Sequence, residues 1–525
     1  MRIAIIGAGP SGLCAAKEIR QSNPAANVTV FESESRLGGT FARCHAHLTM
    51  VNNPMLVSFS DFPAAWTLPA LKMWSAQEYV DYLERYAQKN GIEHLITFNS
   101  QILKARLSDG IWRLVIRQGS RESRLDFDYL VVCAGSNYMP SCPEIPGHTD
   151  FDGEIVHASS VKNPALFKGR RVLLMGLGET GSDLSELIAE HSAATHLSIR
   201  RGPGYLIPRY HDTRPTDLDT SRLYHSLPSG IDATRLGWLL RCKRRIERNR
   251  LRSPHDRAVQ RRADELNHEW AETRSLGPFR RASTKSCGFI HAELKGRVRL
   301  HPAVTRLEKS AACFSDGSRC EVDVVIACTG YKQAFPFFDQ ALQGRLVSSN
   351  RLYNYMFLPG LHDKLAFVGY VRPAVGTVPA LTELQSRLLA RFLQGELVLP
   401  PADEMHAAIQ VQQQMAKTQF PADFERVGHL VDYYGLLKSL ATQLGVMPRQ
   451  WTLLVCAPRV WFKVNFSFLC PAAFRLNGPG HTYAQACSAL KAMPTMPVSI
   501  LAIEGLTYLI CAGLSRLGFR QFRMR

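Results

Sequence analysis

None of the thirteen cysteines lies two residues from another, so the chain has no CxxC pair from which a dithiol redox centre could be built. Their scatter suits a reducing compartment. His45, His47 and His157 find no third ligand at a suitable spacing, which argues against a protein-bound metal, and His45 and His47 are read as polar loop residues. No tract is of low complexity. The most apolar stretch, Val498 to Leu514, is slightly short for a transmembrane span and carries Glu504. Acidic residues are scarce beside basic ones, 45 against 63, for a net charge of +18. Much of the excess lies in Arg241 to Arg281, a polar insertion opening on RCKRRIERNRLR. Its arginines alternate with glutamates, as in RRADELNHEW, so it reads as a solvated helix face rather than a nucleic-acid site. With 525 residues, 46% of them hydrophobic, the chain can bury the cores of two to four domains.

Two glycine-rich stretches follow the same plan. Ile3 to Ile6 read as a buried parallel strand and Leu13 to Arg20 as a helix, with Gly7, Gly9 and Gly12 between them at G-x-G-x-x-G spacing. The first glycine permits the tight turn, the second admits a pyrophosphate, and the third lets helix pack on strand with its N-terminus toward the phosphates. A second strand, Asn27 to Phe31, ends in Glu32, about 20 residues past Gly12, where an acid accepts ribose hydroxyls and repels a 2′-phosphate. This site is expected to hold FAD or NAD. The stretch MGLGETGSDL repeats the pattern: strand Arg171 to Met175, then Gly176, Gly178 and Gly181, then a helix from Asp183 to Glu190. Its next strand, Thr195 to Ile199, ends in Arg200 and Arg201, where the first copy has Glu32, so this site is expected to prefer NADPH. Two dinucleotides together imply a flavoprotein reduced by NADPH.

Between the fingerprints, FDGEIVHASSV (Phe151 to Val161) resembles the FxGxxxHxxxY signature of the flavin-containing monooxygenases and the related Baeyer-Villiger enzymes. Phe151, Gly153 and His157 match it; Val161 replaces the aromatic residue. The resemblance extends through Gly38, Gly39 and Phe41 (GGTF), NNPMLVSFSDFP at Asn52 to Pro63, CAGSNYMP at Cys133 to Pro140, and ACTGY at Ala327 to Tyr331. It continues through PALTELQSR at Pro379 to Arg387 and FRLNGPG at Phe474 to Gly480, with Tyr483 where the family often has tryptophan. Departures are Val161 and Glu179, the latter standing where these enzymes usually have asparagine. A carboxylate there should weaken NADPH binding unless it points away or pairs with a base such as Arg200.

The resemblance implies that NADPH reduces FAD, and that the reduced flavin forms a C4a-hydroperoxide with dioxygen. That species gives one oxygen atom to a soft nucleophile, an amine nitrogen or a thioether sulfur. It implies Asn52 as the catalytic residue beneath the isoalloxazine and His157 as a linker residue that orients the domains. The expected cofactor contacts are Gly7, Gly9, Ser11, Gly12, Glu32, Gly39, Thr40, Phe41, Asn52 and Asn53 for FAD. For NADPH they are Gly176, Gly178, Thr180, Gly181, Ser182, Asp183 and Arg200, with Thr329 and Gly330 at the second crossing. No metal is expected. The alternatives left open are Baeyer-Villiger oxygenation of a ketone, an uncoupled NADPH oxidase, and a membrane-associated binding protein.

The expected fold class is α/β, with two doubly wound Rossmann-like domains, the second inserted into the first. The FAD domain spans residues 1–150 and 329–445 and the NADPH domain 151–328, with a basic helical insertion at about 205–290. A C-terminal extension, 446–525, holds the apolar helix at 498–514. With Arg516, Arg520, Arg523 and Arg525 behind it, that helix is read as a peripheral membrane anchor, or else as packing on the enzyme or on a second subunit. The first strand starts almost at Met1, which gives a cytoplasmic expectation, membrane-associated on the cytosolic face if the anchor operates.

Overall fold

The computed structural model describes all residues except 65–70, 201, 203–204, 232–233, 271–279, 281, 347, 422, 425–426 and 525. Arg201, Arg281 and Arg525 therefore lie outside the described residues. Continuous apolar runs form the centres of two five-stranded parallel sheets, as expected of strands covered on both faces. The first has the order Leu365–Phe367, Tyr129–Val132, Arg2–Ile6, Asn27–Phe31, Ile96–Thr97. The second has the order Val298–His301, Ala194–Ser198, Arg171–Met175, Val324–Ala327, Glu154–His157. The chain leaves the first sheet after Tyr129–Val132, completes the second, and returns to add Leu365–Phe367. One doubly wound unit is thus inserted into the other. The two connecting segments pair antiparallel where they cross, Tyr331 opposite Pro140 and Lys332 opposite Met139.

The helix after the first glycine turn, Pro10–Ser22, begins with proline at its first turn and is buried over most of its length. It packs on Val378–Leu393, which carries the PALTELQSR stretch. Between these helices lie three cations and three carboxylates: Lys17, Arg387 and Arg475 with Glu18, Asp61 and Glu383. Arg475 donates from Nη2 to Glu18 Oε1 at 2.7 Å and to Glu383 Oε1 at 2.8 Å, and from Nε to Ser60 Oγ at 2.8 Å. Ser60 donates its N–H to Glu383 Oε2 at 2.8 Å, Lys17 pairs with Glu18 at 2.9 Å and contacts Asp61, and Arg387 donates to the carbonyls of Phe474 and Pro479. Three separate stretches, NNPMLVSFSDFP, PALTELQSR and FRLNGPG, thus contribute to one neutral buried network. Although burial opposes ionisation, Arg475 and Lys17 hold the Glu18 carboxyl down to about 2.

The C-terminal helix, Val498–Arg516, turns Glu504 and Thr507 inward. Ile500, Glu504, Thr507 and Cys511 form the buried stripe at helical spacing, facing the helix Gly237–Asn249 of the basic insertion. Glu504 Oε1 pairs with Lys243 Nζ at 2.9 Å, and its Oε2 accepts the Ser221 N–H at 3.2 Å. The charge that counted against a membrane role is thus neutralised inside the protein. Apolar side chains such as Val498 (82% exposed) and Leu509 (68%) face outward.

Removing one member of the network leaves buried charge unpaired, so Arg475→Ala should lose about 3–5 kcal/mol of stability in urea unfolding. A loss under about 1 kcal/mol would show that the network does not tie these segments together. Because Glu18 titrates lower in the folded chain than in the unfolded one, its contribution is complete above pH 4.5 and declines as the pH falls toward about 2.

Candidate functional site

The two glycine turns share one backbone plan. Gly7 takes φ +101° and Gly176 φ +103°, values closed to residues with a Cβ. A Cβ on Gly7 would stand 2.7 Å from the Cys133 carbonyl oxygen, and one on Gly176 2.8 Å from that of Cys328. Gly12 and Gly181 lie against the carbonyls of Gly7 and Gly176, where a Cβ would collide, so these glycines close helix onto strand. The middle glycines differ: Gly9 faces the bare backbone of Gly39, and Gly178 has nothing within 4 Å of a Cβ position. Both leave a cradle that only a side chain would fill, at helices whose N-terminal N–H groups suit phosphate. The residues present fit a dinucleotide at each turn.

Glu32 closes the first cradle. It is buried, and its Oε2 accepts the Ala8 N–H at 2.7 Å. In the second copy the register differs from expectation by one residue. Gly7 and Gly176 donate to Phe31 and Ser198, and Glu32 and Ile199 donate to Thr97 and His301, so Ile199 occupies the position of Glu32. The strand ends at Ser198, and Arg200 is exposed one position beyond the acid's equivalent. Glu179 does not pair with Arg200: its Oε1 accepts the Lys285 N–H at 2.6 Å, and its carboxyl lies near Arg209.

A single cavity of about 930 Å³ joins the two cradles. Ser11, Thr40, Phe41 and Asn52 line it on the first side, and Gly178, Glu179, Thr180 and Asp183 on the second. Gly330 and His157 line it at the crossing. Other expected contacts have their polar groups committed elsewhere. Asn53 is the N-cap of the helix Pro54–Val57, its Oδ1 accepting the Met55 N–H at 2.9 Å, while its backbone N and Nδ2 donate to Asp217 Oδ2 at 2.7 and 2.9 Å. Ser182 is fully buried and hydrogen bonded to Ser286. Thr329 is exposed and donates to the Ser141 carbonyl.

The cavity is bridged by residues that carry no motif. Asp217 pairs with Lys285 and holds Asn53 from the opposite domain. Arg209 grips Asp183 in a two-pronged contact at 2.9 and 2.5 Å and donates to the Thr49 carbonyl at 3.3 Å. Asn53 and Asp217 are 164 positions apart, so no local spacing could have signalled the pair. At the crossing, His157 Nε2 faces the Gly330 carbonyl at 3.0 Å and must donate, which leaves Nδ1 to accept the Ser159 N–H at 3.1 Å. Burial holds this imidazole below its usual pKa, in keeping with the neutral ring. Gly153 of the same signature lies against the Asp323 carbonyl and the Phe151 ring, where a Cβ would not fit, and Val161 is buried beside the cavity. His45 is buried in the cavity wall, and burial lowers its pKa.

Comparison with known proteins agrees in outline. The family described as flavin-binding monooxygenase-like matches residues 1–495. A 4-hydroxybenzoate brominase (decarboxylating) of Marinomonas mediterranea is 33% identical over 493 residues, 91% of this chain and 90% of its own. Dimethylaniline monooxygenase (N-oxide-forming) 4 of Mus musculus is 28% identical over 503 residues, 91% of this chain and 84% of its own. The solved structure of S-allyl-L-cysteine S-oxygenase from Allium sativum superposes with a TM-score of 0.59 at 21% identity, covering 85% of this chain and 88% of that one.

The cradles predict opposite outcomes for neighbouring substitutions. A Cβ on Gly9 meets Gly39 Cα at an ordinary 3.5 Å, so Gly9→Ala should fold with an unchanged far-ultraviolet circular dichroism spectrum yet purify almost colourless. Gly12→Ala, which collides with the Gly7 carbonyl, should fail to accumulate as folded protein. A fully yellow Gly9→Ala protein would remove the phosphate role of that turn.

Proposed function

This chain belongs to the flavin-binding monooxygenase-like family, and from that membership we propose that it is an FAD- and NADPH-dependent monooxygenase acting on a soft nucleophile. One oxygen atom of dioxygen passes to an amine nitrogen or a thioether sulfur of a small molecule. The observation that carries this reading is the cavity shared by both cradles, with Asn52 on its wall. FAD is assigned to the cradle closed by Glu32 and NADPH to the one followed by Arg200. Bound flavin supplies the activation of dioxygen and bound nicotinamide the reducing equivalents.

The protein's share is positional. Asn53, locked as a helix cap and held by Asp217, fixes the backbone from which Asn52 presents its amide to the cavity. The apolar walls, among them Met50, Leu56 and Phe468, keep water from the reacting atoms. His157, donating to the Gly330 carbonyl, holds the crossing on which the relative placement of the two cradles depends. The domain division near residues 150, 328 and 445 and the use of Val498–Arg516 as a peripheral membrane contact belong to the same proposal. The outward apolar face of that helix supports the membrane contact.

A second reading rests on the relative named as a brominase, at 33% identity. Bromide is also a soft nucleophile, and a halide oxidised at the same place would halogenate an activated aromatic acid. Tyr224, His225 and Tyr433 give the cavity an aromatic wall, with edge-to-face contacts at 6.2 and 5.9 Å, that suits such a ring.

The deciding experiment follows NADPH oxidation under ¹⁸O₂ with amines, thioethers, cyclic ketones, and bromide plus 4-hydroxybenzoate, and identifies products by mass spectrometry. One labelled oxygen in an N-oxide or sulfoxide supports the first reading. A brominated phenol would select the second, a labelled lactone would place the chain with the ketone-oxygenating enzymes, and peroxide equal to the NADPH consumed, with no product, would overturn oxygenation altogether. Asn52→Ala should leave flavin reduction by NADPH within about twofold while most of the NADPH goes to hydrogen peroxide, measured as the peroxide-to-NADPH ratio. Arg200→Ala should raise KM for NADPH about tenfold or more and leave KM for NADH nearly unchanged; equal effects would remove it as the 2′-phosphate contact.

A further inference from the structure

Glu179 presents an electrostatic conflict. It opens the helix Glu179–Ala189, whose N-terminal dipole would favour an anion, in the cradle where a dinucleotide's own phosphates need that same pole. Two anions cannot both use it cheaply. The residue is half-buried and lines the cavity, its Oε2 is inaccessible to solvent, and its two oxygens differ. Oε1 accepts the Lys285 N–H at 2.6 Å, while Oε2 has no hydrogen-bond partner among the described residues.

The groups around it do not supply a dedicated counter-charge. Arg209 grips Asp183 and turns to this carboxyl only its diffuse charge and an Nε with no hydrogen-bond partner among the described residues. Lys285, beside both Asp217 and Glu179, is lowered by burial to about 7 and so titrates in the same range as the acid. Asp183, one turn along the same helix, adds a second negative charge, and Arg372 acts on the carboxyl from the FAD side only as a minor influence. Burial pushes the Glu179 carboxyl up to about 7. An unpartnered buried oxygen on an acid, beside bound phosphates, is best satisfied by carrying the proton itself.

We propose that Glu179 holds the nicotinamide dinucleotide as a neutral carboxylic acid, its Oε2–H donating to a phosphate or ribose oxygen, so that NADPH binding takes up one proton from solvent. This rests on assigning the second cradle to NADPH. The protonated acid supplies the donor that an asparagine amide would otherwise offer, and Oε1 keeps its bond from Lys285. The step is proton transfer alone: the carboxylate gains a proton on binding and returns it on release.

The test is calorimetric titration of the flavin-loaded protein with NADP+ between pH 6 and 9, for wild type and Glu179→Gln. Wild-type affinity should fall about tenfold or more from pH 7 to pH 9, while the Gln variant, with a permanent N–H donor, should stay within about threefold. At pH 8, titration in two buffers of different ionisation enthalpy should register close to one proton taken up per NADP+ by wild type and almost none by the variant. Parallel pH profiles, or binding by wild type without proton uptake, would overturn the proposal. So would a variant that folds but binds weakly at every pH, which would mark Glu179 as a purely structural support of Lys285. The buffer comparison on wild type keeps the question decidable if the variant does not fold. Failure of wild type to bind NADP+ at any pH would instead bring down the assignment of the second cradle.

Discussion

Arg475 sits at the far end of the chain from the first glycine turn, yet it lies 2.7 Å from Glu18 on the helix that this turn launches. The guanidinium also takes Glu383 and Ser60, so the first helix, the loop that carries Asn52 and the helix Val378–Leu393 are positioned against one another by a single side chain. Desolvating six charges is costly, and apolar packing could fill the same volume. What charge adds is register, because directional bonds among buried charges resist sliding. The loop that carries Asn52 is held by this network through Ser60 and by Asp217 through Asn53, so Asn52 has little freedom to wander.

The second domain uses the same turn with a different closure. Both first glycines press on a carbonyl from the neighbouring strand's end and both third glycines press on the first, while the middle glycine faces Gly39 in one turn and open space in the other. Identity of backbone with divergence of contacts lets one architecture hold two different dinucleotides. The acid that closes the first cradle is replaced by Ile199, and an acid appears instead at the helix start, as Glu179. The negative charge has moved from the ribose side of the cradle to the phosphate side, where its consequences are of the opposite kind.

The parts legible in the sequence are those whose cause is local. Gly7 and Gly176 are required by φ values that any reader of the spacing would anticipate, and the strands Asn27–Phe31 and Arg171–Met175 end where their apolar runs end. The end of Ala194–Ser198 was off by one because only its pairing with Val298–His301 fixes it. The same slip put Arg200, rather than Ile199, level with Glu32. Asn53 did carry a readable signal: an Asn-Pro step before an apolar run is a helix cap, and a capping side chain is committed. Asp217, Lys285 and Arg209 carried none, since their partners lie far away in sequence, and no periodicity encodes a contact between domains.

The helix Val498–Arg516 is folded inside out relative to an ordinary surface helix, with Glu504 inward and Val498, Leu506 and Leu509 outward. Lys243, which Glu504 neutralises, is also part of the cavity wall. The greasy tail therefore cannot be trimmed for convenience. Cutting the chain before residue 498 would take away one of the two carboxylates facing Lys243 and leave the Ser221 N–H bare. An expression strategy that seeks a more soluble enzyme should recolour the outer face, at Leu506 and Leu509, and keep the inner one.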